Sequence, residues 1–358
     1  MEKSIMWNHI YEETSKLKAL LVNTQIQALL KECDITKINK LIFVASGTSL
    51  NIAIIAKRFY QELALVEVNT YTPFDFVGNS KALNNIDKES TLVVAISQTG
   101  TSSGTINSIT YAKKLGFKVL SITERSDTPA EQLGDYYLNF LCDLEDCNAK
   151  TKGFCNSLTL LELLALQIAK EKKTITDVTF QAYMEEIKAS IEDIPTTIEN
   201  TKSWIEKNKD WSTINHFLVI GNGTNYGVAM EGMLKILETL CVPASICELG
   251  EFSHGFHRTI THNSNVITIL TEEPGQEDMM RANEYLKEKT GKLLIINATK
   301  KGIDEEHYIN VAYRPFTASS LNISVVFQVI AVALPEIIGR DPNCPMNEDF
   351  TKIMNTRV

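Results

Sequence analysis

Aromatic residues are only 8% of this 358-residue chain, and its 9 prolines and 17 glycines are thinly spread. With 44% hydrophobic and 22% charged residues the composition is nonetheless that of a soluble globular protein. Positive charge is short as well: 35 Lys and Arg face 44 Asp and Glu, for a net charge of −9. That balance argues against a nucleic-acid partner held through phosphate contacts. It does not argue against a small anionic substrate, because local positive sites survive on an acidic surface. No apolar run is read as reaching the roughly 18–20 residues that cross a bilayer, so no membrane partner is expected. The opening stretch, MEKSIMWNHIYEETSKLKALL, is amphipathic and acidic, not a signal peptide. Seven cysteines (Cys33, Cys142, Cys147, Cys155, Cys241, Cys247 and Cys344) include no C-x-x-C pair. They read as reduced, mostly core-filling thiols of a cytoplasmic protein without structural zinc.

What is present is organised around VVAISQTGTSSGT, residues 93–105. An apolar run ends abruptly at Ser97-Gln98-Thr99-Gly100-Thr101-Ser102-Ser103, and helical spacing follows at Ile106, Ile109, Ala112 and Leu115. The pattern predicts a buried strand, a hydroxyl-rich turn and a helix. Such a turn aims backbone N–H groups and hydroxyls at one point, which suits an oxyanion such as a phosphate ester. Serine and threonine also cap helices with nothing bound, so the turn alone leaves both readings open.

Residues 1–36 read as an N-terminal helical segment. KLIFVASGTSLNIAIIAKRFYQEL then gives a strand, a turn at Ser46-Gly47-Thr48-Ser49 and a helix; a further strand falls near Val66–Thr70, and another at Lys118–Ile122. A long apolar helix is expected over Ser157–Ala169, and the charged stretch to about Asp210 reads as a helical connector because Pro and Gly are sparse there. The pattern then restarts. HFLVIGNGTNYGVAMEGMLKILETL matches KLIFVASGTSLNIAIIAKRFYQEL with Gly223-Thr224 at the place of Gly47-Thr48; SNVITILTEEPG matches TLVVAISQTG, and GKLLIINA matches GFKVLSIT. The expected architecture is a duplicated α/β unit: two tandem flavodoxin-like three-layer α/β/α domains with parallel sheets. The expected boundaries are 37–172 for the first, 173–210 for the connector, 211–338 for the second and 339–358 for a tail.

The two copies differ in chemistry. Where the first has its hydroxyl turn, the second has Thr271-Glu272-Glu273-Pro274-Gly275, whose carboxylates repel an anion. One phosphate site per chain is therefore expected. The first helix of the second copy carries Glu231, Lys235 and Glu238 at i, i+4 and i+7, on one face. A surface ion-pair stripe is the ordinary reading. Met230, Met233, Leu234, Leu237 and Leu240 cover much of the rest of the helix and weigh against it. Downstream, CELGEFSHGFHRTI holds Glu248, Glu251, His254 and His257. H-x-x-H without a third fixed ligand is a poor metal motif, and a histidine among glycines reads better as an acid/base. Lys352 lies in the polar tail, where a lysine is ordinarily solvated.

Together SGTSLN, SQTGTSSGT, AKTKG, AMEGMLKILE, ELGEFSHG and the lysine-bearing tail resemble the sugar-isomerase (SIS) family, in the family's order and over nearly the whole chain. The likeness is to the isomerase half of glucosamine–fructose-6-phosphate aminotransferase and to stand-alone amino-sugar-6-phosphate deaminases and deglycases. The resemblance implies a phosphate cradle at Ser97, Gln98, Thr99 and Ser102, and a sugar-lining turn at Thr48 and Ser49. It implies that Glu238 moves a proton between carbons 1 and 2, and that Glu231 and Lys235 stand near the reacting carbons. It further implies that His254, donated by the partner of a homodimer, assists ring opening, and that Lys352 closes over the open-chain sugar. No metal or organic cofactor is implied.

Two departures bear on substrate choice. Phe256 stands where the family usually has proline after His-Gly, and Asn148-Ala149-Lys150 replaces a small hydroxylated segment, which places Lys150 near the sugar or its substituent. The helical start without an amino-terminal cysteine leads us to expect no glutamine-dependent synthesis from this polypeptide. The expected activity is an amino-sugar-6-phosphate deaminase/isomerase, converting glucosamine 6-phosphate to fructose 6-phosphate and ammonia. The alternatives are a fructosamine or glucosamine-conjugate 6-phosphate deglycase and a non-catalytic sugar-phosphate-binding regulator.

Overall fold

The structure is a computed structural model that describes residues 2–303, 305–315, 318–347 and 349–358, the side chains of Ser80 and Ala318 excepted. The chain divides into two compact units. One comprises Ser15–Glu145, Lys152–Glu185 and Pro345–Val358; the other comprises Met1–Thr14, Asp146–Thr151 and Glu186–Cys344.

Two helices open the chain, α1 (Ile5–Leu21) and α2 (Gln25–Glu32), where one helical segment was expected. The first unit then runs β1 (Lys40–Val44), α3 (Thr48–Glu62), β2 (Glu67–Tyr71), α4 (Pro73–Gly78), α5 (Ser80–Asn84), β3 (Thr91–Ile96), α6 (Ser103–Lys114), β4 (Lys118–Thr123), α7 (Pro129–Leu133), β5 (Tyr136–Asn139) and α8 (Lys152–Glu171). Its five strands are all parallel, in the order β2-β1-β3-β4-β5. All six residues of β3 are buried, as a central strand covered on both faces requires. α8 begins at Lys152, earlier than its apolar run indicated, and is buried along nearly its whole length.

α9 (Asp177–Lys207) occupies most of the charged stretch, with Pro195 inside it. The second unit continues with β6 (Phe217–Gly221), α10 (Thr224–Thr239), β7 (Ala244–Glu248), α11 (Leu249–Phe252), β8 (Asn265–Thr271), α12 (Gln276–Lys289), β9 (Lys292–Ala298), β10 (Tyr308–Asn310) and α13 (Ala318–Ile337); α14 (Asp349–Ile353) lies in the tail. Its sheet is parallel in the order β10-β9-β8-β6-β7. Matching β6 to β1 and β8 to β3 reproduces the first unit's order strand for strand, so the sequence repeat is a structural one.

One expectation is corrected. Ser319–Ile337 is, by length and composition, apolar enough to cross a membrane. Asn322, Ser324 and Gln328 interrupt the run and hid it from inspection. Here these polar residues are buried and bonded within the unit: Asn322 Nδ2 donates to Ser190 O at 2.7 Å, and Ser324 Oγ to Ser320 O at 2.8 Å. The segment is a core helix, with most of its length buried inside the protein.

Candidate active site

In the first unit, β3 delivers Ser97 to the C-terminal end of the sheet, where its N–H donates to Ile122 O at 3.1 Å. The chain then reverses through Gly100, at φ +67, whose N–H returns to Ser97 O at 3.0 Å. A Cβ at Gly100 would lie 2.4 Å from Thr128 Oγ1, so backbone angle and space both demand glycine there. Thr99 Oγ1 and Thr101 Oγ1 share a hydrogen bond of 3.0 Å. Ser102 is the N-cap of α6, yet its side chain makes no capping bond. Thr48 and Ser49 open α3 just after Gly47, at φ +56, on the neighbouring strand's turn. This gathers the hydroxyls of Thr48, Ser49, Ser97, Thr99 and Ser102 on the adjacent β1 and β3 loops, at the switch point of the sheet.

The Gln98 side chain does something the sequence did not announce. Its Nε2 donates to Glu124 Oε2 at 2.7 Å and to Glu145 Oε2 at 3.2 Å, and Glu145 Oε2 also accepts the Gly153 N–H at 3.0 Å. Both carboxylates are buried. A Cβ at Gly153 would stand 2.1 Å from Gln98 Nε2, so the close approach of α8 depends on that glycine. Gln98 thus ties the turn to two buried acids, and only its backbone is left for an anion.

The tail docks on the same turn. Ser102 pairs antiparallel with Arg357; the Ser103 N–H donates to Thr356 O at 3.1 Å, Ser103 Oγ to Asn355 O at 3.0 Å, and the Val358 N–H to Thr101 O at 2.9 Å. Lys352 sits on α14 with an exposed side chain. No sequence pattern announces this backbone pairing.

In the second unit, α10 brings Glu231, Lys235 and Glu238 together. Lys235 Nζ lies 3.2 Å from Glu231 Oε1 and 2.6 Å from Glu238 Oε2. The side chains of Lys235, Glu231 and Glu238 are 0%, 3% and 30% exposed, so the surface-stripe reading fails. The helix is buried because α13 packs closely on it: a Cβ at Gly232 would come 2.5 Å from the Phe327 ring. Burial lowers the basicity of Lys235, but the charges of Glu231 and Glu238 outweigh it and hold the amine protonated. Burial raises Glu238 above its ordinary 4.5, with Glu231 adding; Lys235 and Lys150 pull it back. Lys150 therefore acts electrostatically on Glu238. Glu238 alone of the three retains substantial exposure, so its desolvation is partial.

His254 follows α11 in an exposed segment, its N–H donating to Glu251 O at 3.0 Å. Glu248 is the N-cap of α11: its carboxylate accepts the N–H groups of Gly250 and, at 3.2 Å, Glu251. His257 Nδ1 lies 3.1 Å from Phe252 O. Among the described residues, no group of three or more His, Cys, Asp or Glu side chains is arranged to hold a metal.

The SIS domain family model matches residues 34–167 and 212–333, one match per sheet. The chain belongs to the SIS domain family. Among relatives of this SIS protein, the isomerizing glutamine–fructose-6-phosphate aminotransferase of Brucella abortus is 25% identical over 319 residues, covering 88% of this chain and 52% of the relative. The chain thus spans about half the length of that relative. A solved candidate phosphosugar isomerase from Clostridium difficile 630 superposes with a TM-score of 0.90 at 26% identity, covering 99% of both chains. A glucosamine-6-phosphate deaminase from Thermotoga maritima shares the fold, with a TM-score of 0.76 at 17% identity over 96% of this chain and 97% of that one.

Proposed function

We propose that this SIS protein is a phosphosugar enzyme, an amino-sugar-6-phosphate deaminase/isomerase that converts glucosamine 6-phosphate and water to fructose 6-phosphate and ammonia. The observation that carries the reading is the buried Glu231–Lys235–Glu238 array, with its outer carboxylate open to solvent and its basicity raised by burial. A carboxylate set so is a base for the carbon-bound proton, and one carboxylate serves both carbon 1 and carbon 2 of an enediol or enamine. Lys235 opposes that rise in basicity. The hydroxyls and amides of the Ser97–Ser102 turn hold the phosphate, which orients the substrate while its ring opens. His254 shuttles the ring-opening proton. Its exposure in one chain supports donation to a second copy in a homodimer. Lys352 closes over the open-chain sugar. The acidic composition and the free cysteines support a cytoplasmic location.

Lys150 favours a second reading. A cation acting on Glu238 is suited to an anionic amine substituent, as in an amino-acid adduct of fructosamine 6-phosphate, and the same base would then serve a deglycase. A panel of 6-phosphorylated amino sugars and Amadori adducts, scored for ammonia and free amino acid, tests both. Ammonia from glucosamine 6-phosphate, lost in Glu238→Gln, is the expected result. Amino-acid release alone favours the deglycase. If neither is released and ligand-dependent behaviour survives Glu238→Gln, the protein is a sugar-phosphate-binding regulator.

A further inference from the structure

The duplication leaves a crevice in the second unit that the phosphosugar reading does not use. Its strand order also switches sides between β6 and β8, and α/β sheets bind ligands at such a point. The glycines that shape the first unit's crevice recur: Gly223 at φ +52 matches Gly47, and Gly275 at φ +93 matches Gly100. What fills the space differs. In the first unit α4 packs on α6: a Cβ at Gly104 would touch Pro73 at 3.2 Å, and the Phe76 and Tyr111 rings meet edge to face at 6.1 Å. In the second unit α11 and α12 stand on either side of a cavity of about 710 Å³. That volume is in the range of pockets for small organic ligands.

The lining specifies the ligand. Glu248, Asp278, Arg281 and His257 supply planar polar groups, and Phe252 and Tyr285 supply ring faces. Arg281 is paired with Asp278 and lies 3.8 Å from Glu277. The first turn of α12, where an anion would otherwise be drawn by the helix, already carries Glu277 and Asp278. These carboxylates disfavour a phosphate there. Carboxylates that accept from hydroxyls or an ammonium, together with aromatic faces, suit an amphipathic polyol.

We propose that this cavity binds an unphosphorylated hexose or amino sugar, separately from the phosphosugar site. The chain would then distinguish a sugar from its phosphate ester by copy: hydroxyls in one crevice, carboxylates in the other. The proposal stands whether or not the enzyme reading does, since it rests on different residues.

The test is calorimetric titration of the full chain with glucosamine, with and without saturating fructose 6-phosphate. We expect saturable binding that fructose 6-phosphate does not displace. Asp278→Asn and Tyr285→Ala should each weaken it about tenfold and leave phosphosugar turnover unchanged. Both side chains are substantially exposed, at 64% for Asp278 and 39% for Tyr285, so neither variant threatens the fold. Absence of saturable glucosamine binding, displacement by fructose 6-phosphate, or wild-type affinity in both variants would overturn the proposal.

Discussion

The two halves of this chain share a strand order and a pair of left-handed glycines, yet they spend the same scaffold on opposite charges. After β3 the first half presents neutral hydroxyls; after β8 the second presents Glu272 and Glu273, and Lys300 pairs with Glu272 at 3.0 Å. The first half buries acids behind its turn, where Gln98 satisfies them. The second buries a cation on a helix between two acids. On the proposed function, retaining the backbone while changing what hangs from it would let one copy grip and the other react. A single copy would have to fit both tasks around one crevice.

The comparison is broken most severely at Lys235. Lys235→Ala removes the cation from between Glu231 and Glu238, and we expect a stability loss of about 3–5 kcal/mol, read as a lower denaturant midpoint. The formally equivalent helix α3 carries no buried lysine at the matching place. A loss below about 1 kcal/mol would mean that the array contributes little to folding.

The glycine pair sharpens it next. Gly100→Ala meets Thr128 at an unfavourable φ and should cost about 2 kcal/mol and raise KM for phosphorylated substrates. Gly275→Ala meets only the tip of Asn222, at 2.8 Å, and should leave that KM unchanged. Equal effects on KM would mean that both crevices serve the phosphosugar.

The smallest effect expected is on pH dependence. Burial lifts Glu238 above 4.5, so the acidic limb of kcat/KM should lie above the ordinary carboxylate range. Lys150 opposes that lift, and Lys150→Ala should therefore move the limb to still higher pH. The same sign governs stability. Below 4.5 the proton is bound in both folded and unfolded chains; as pH rises through the folded value, the stability linked to holding it is lost. An unmoved limb would remove Lys150 from the neighbourhood of the base.

The doubled α/β plan was legible because strands buried on both faces read as unbroken apolar runs, and the repeat set β1 against β6 with few gaps. The hydroxyl turn was legible for the same reason: a strand stops and a helix starts around it. The state of Glu231 and Lys235 was not, since a face of alternating charges looks alike whether solvent or α13 covers it. Pairing of the tail with Ser102 was beyond reach because backbone hydrogen bonds carry no residue signature. The hydrogen bonds of the Gln98 side chain were not legible because its partners, Glu124 and Glu145, lie 26 and 47 positions away. The apolar length of α13 was missed because its few polar residues broke the run to the eye, although Asn322 and Ser324 are hydrogen-bonded inside the unit.

The Ser103 amide, at the start of α6, already donates to the carbonyl of Thr356. An oxyanion arriving at that helix end meets one donor in use, so its affinity is coupled to how firmly residues 355–358 hold on. By reciprocity, a saturating ligand must shift the tail's release equilibrium by the same factor that tail release shifts the ligand's dissociation constant. On the proposed phosphate site, protease sensitivity at residues 355–358 would gauge occupancy without any turnover.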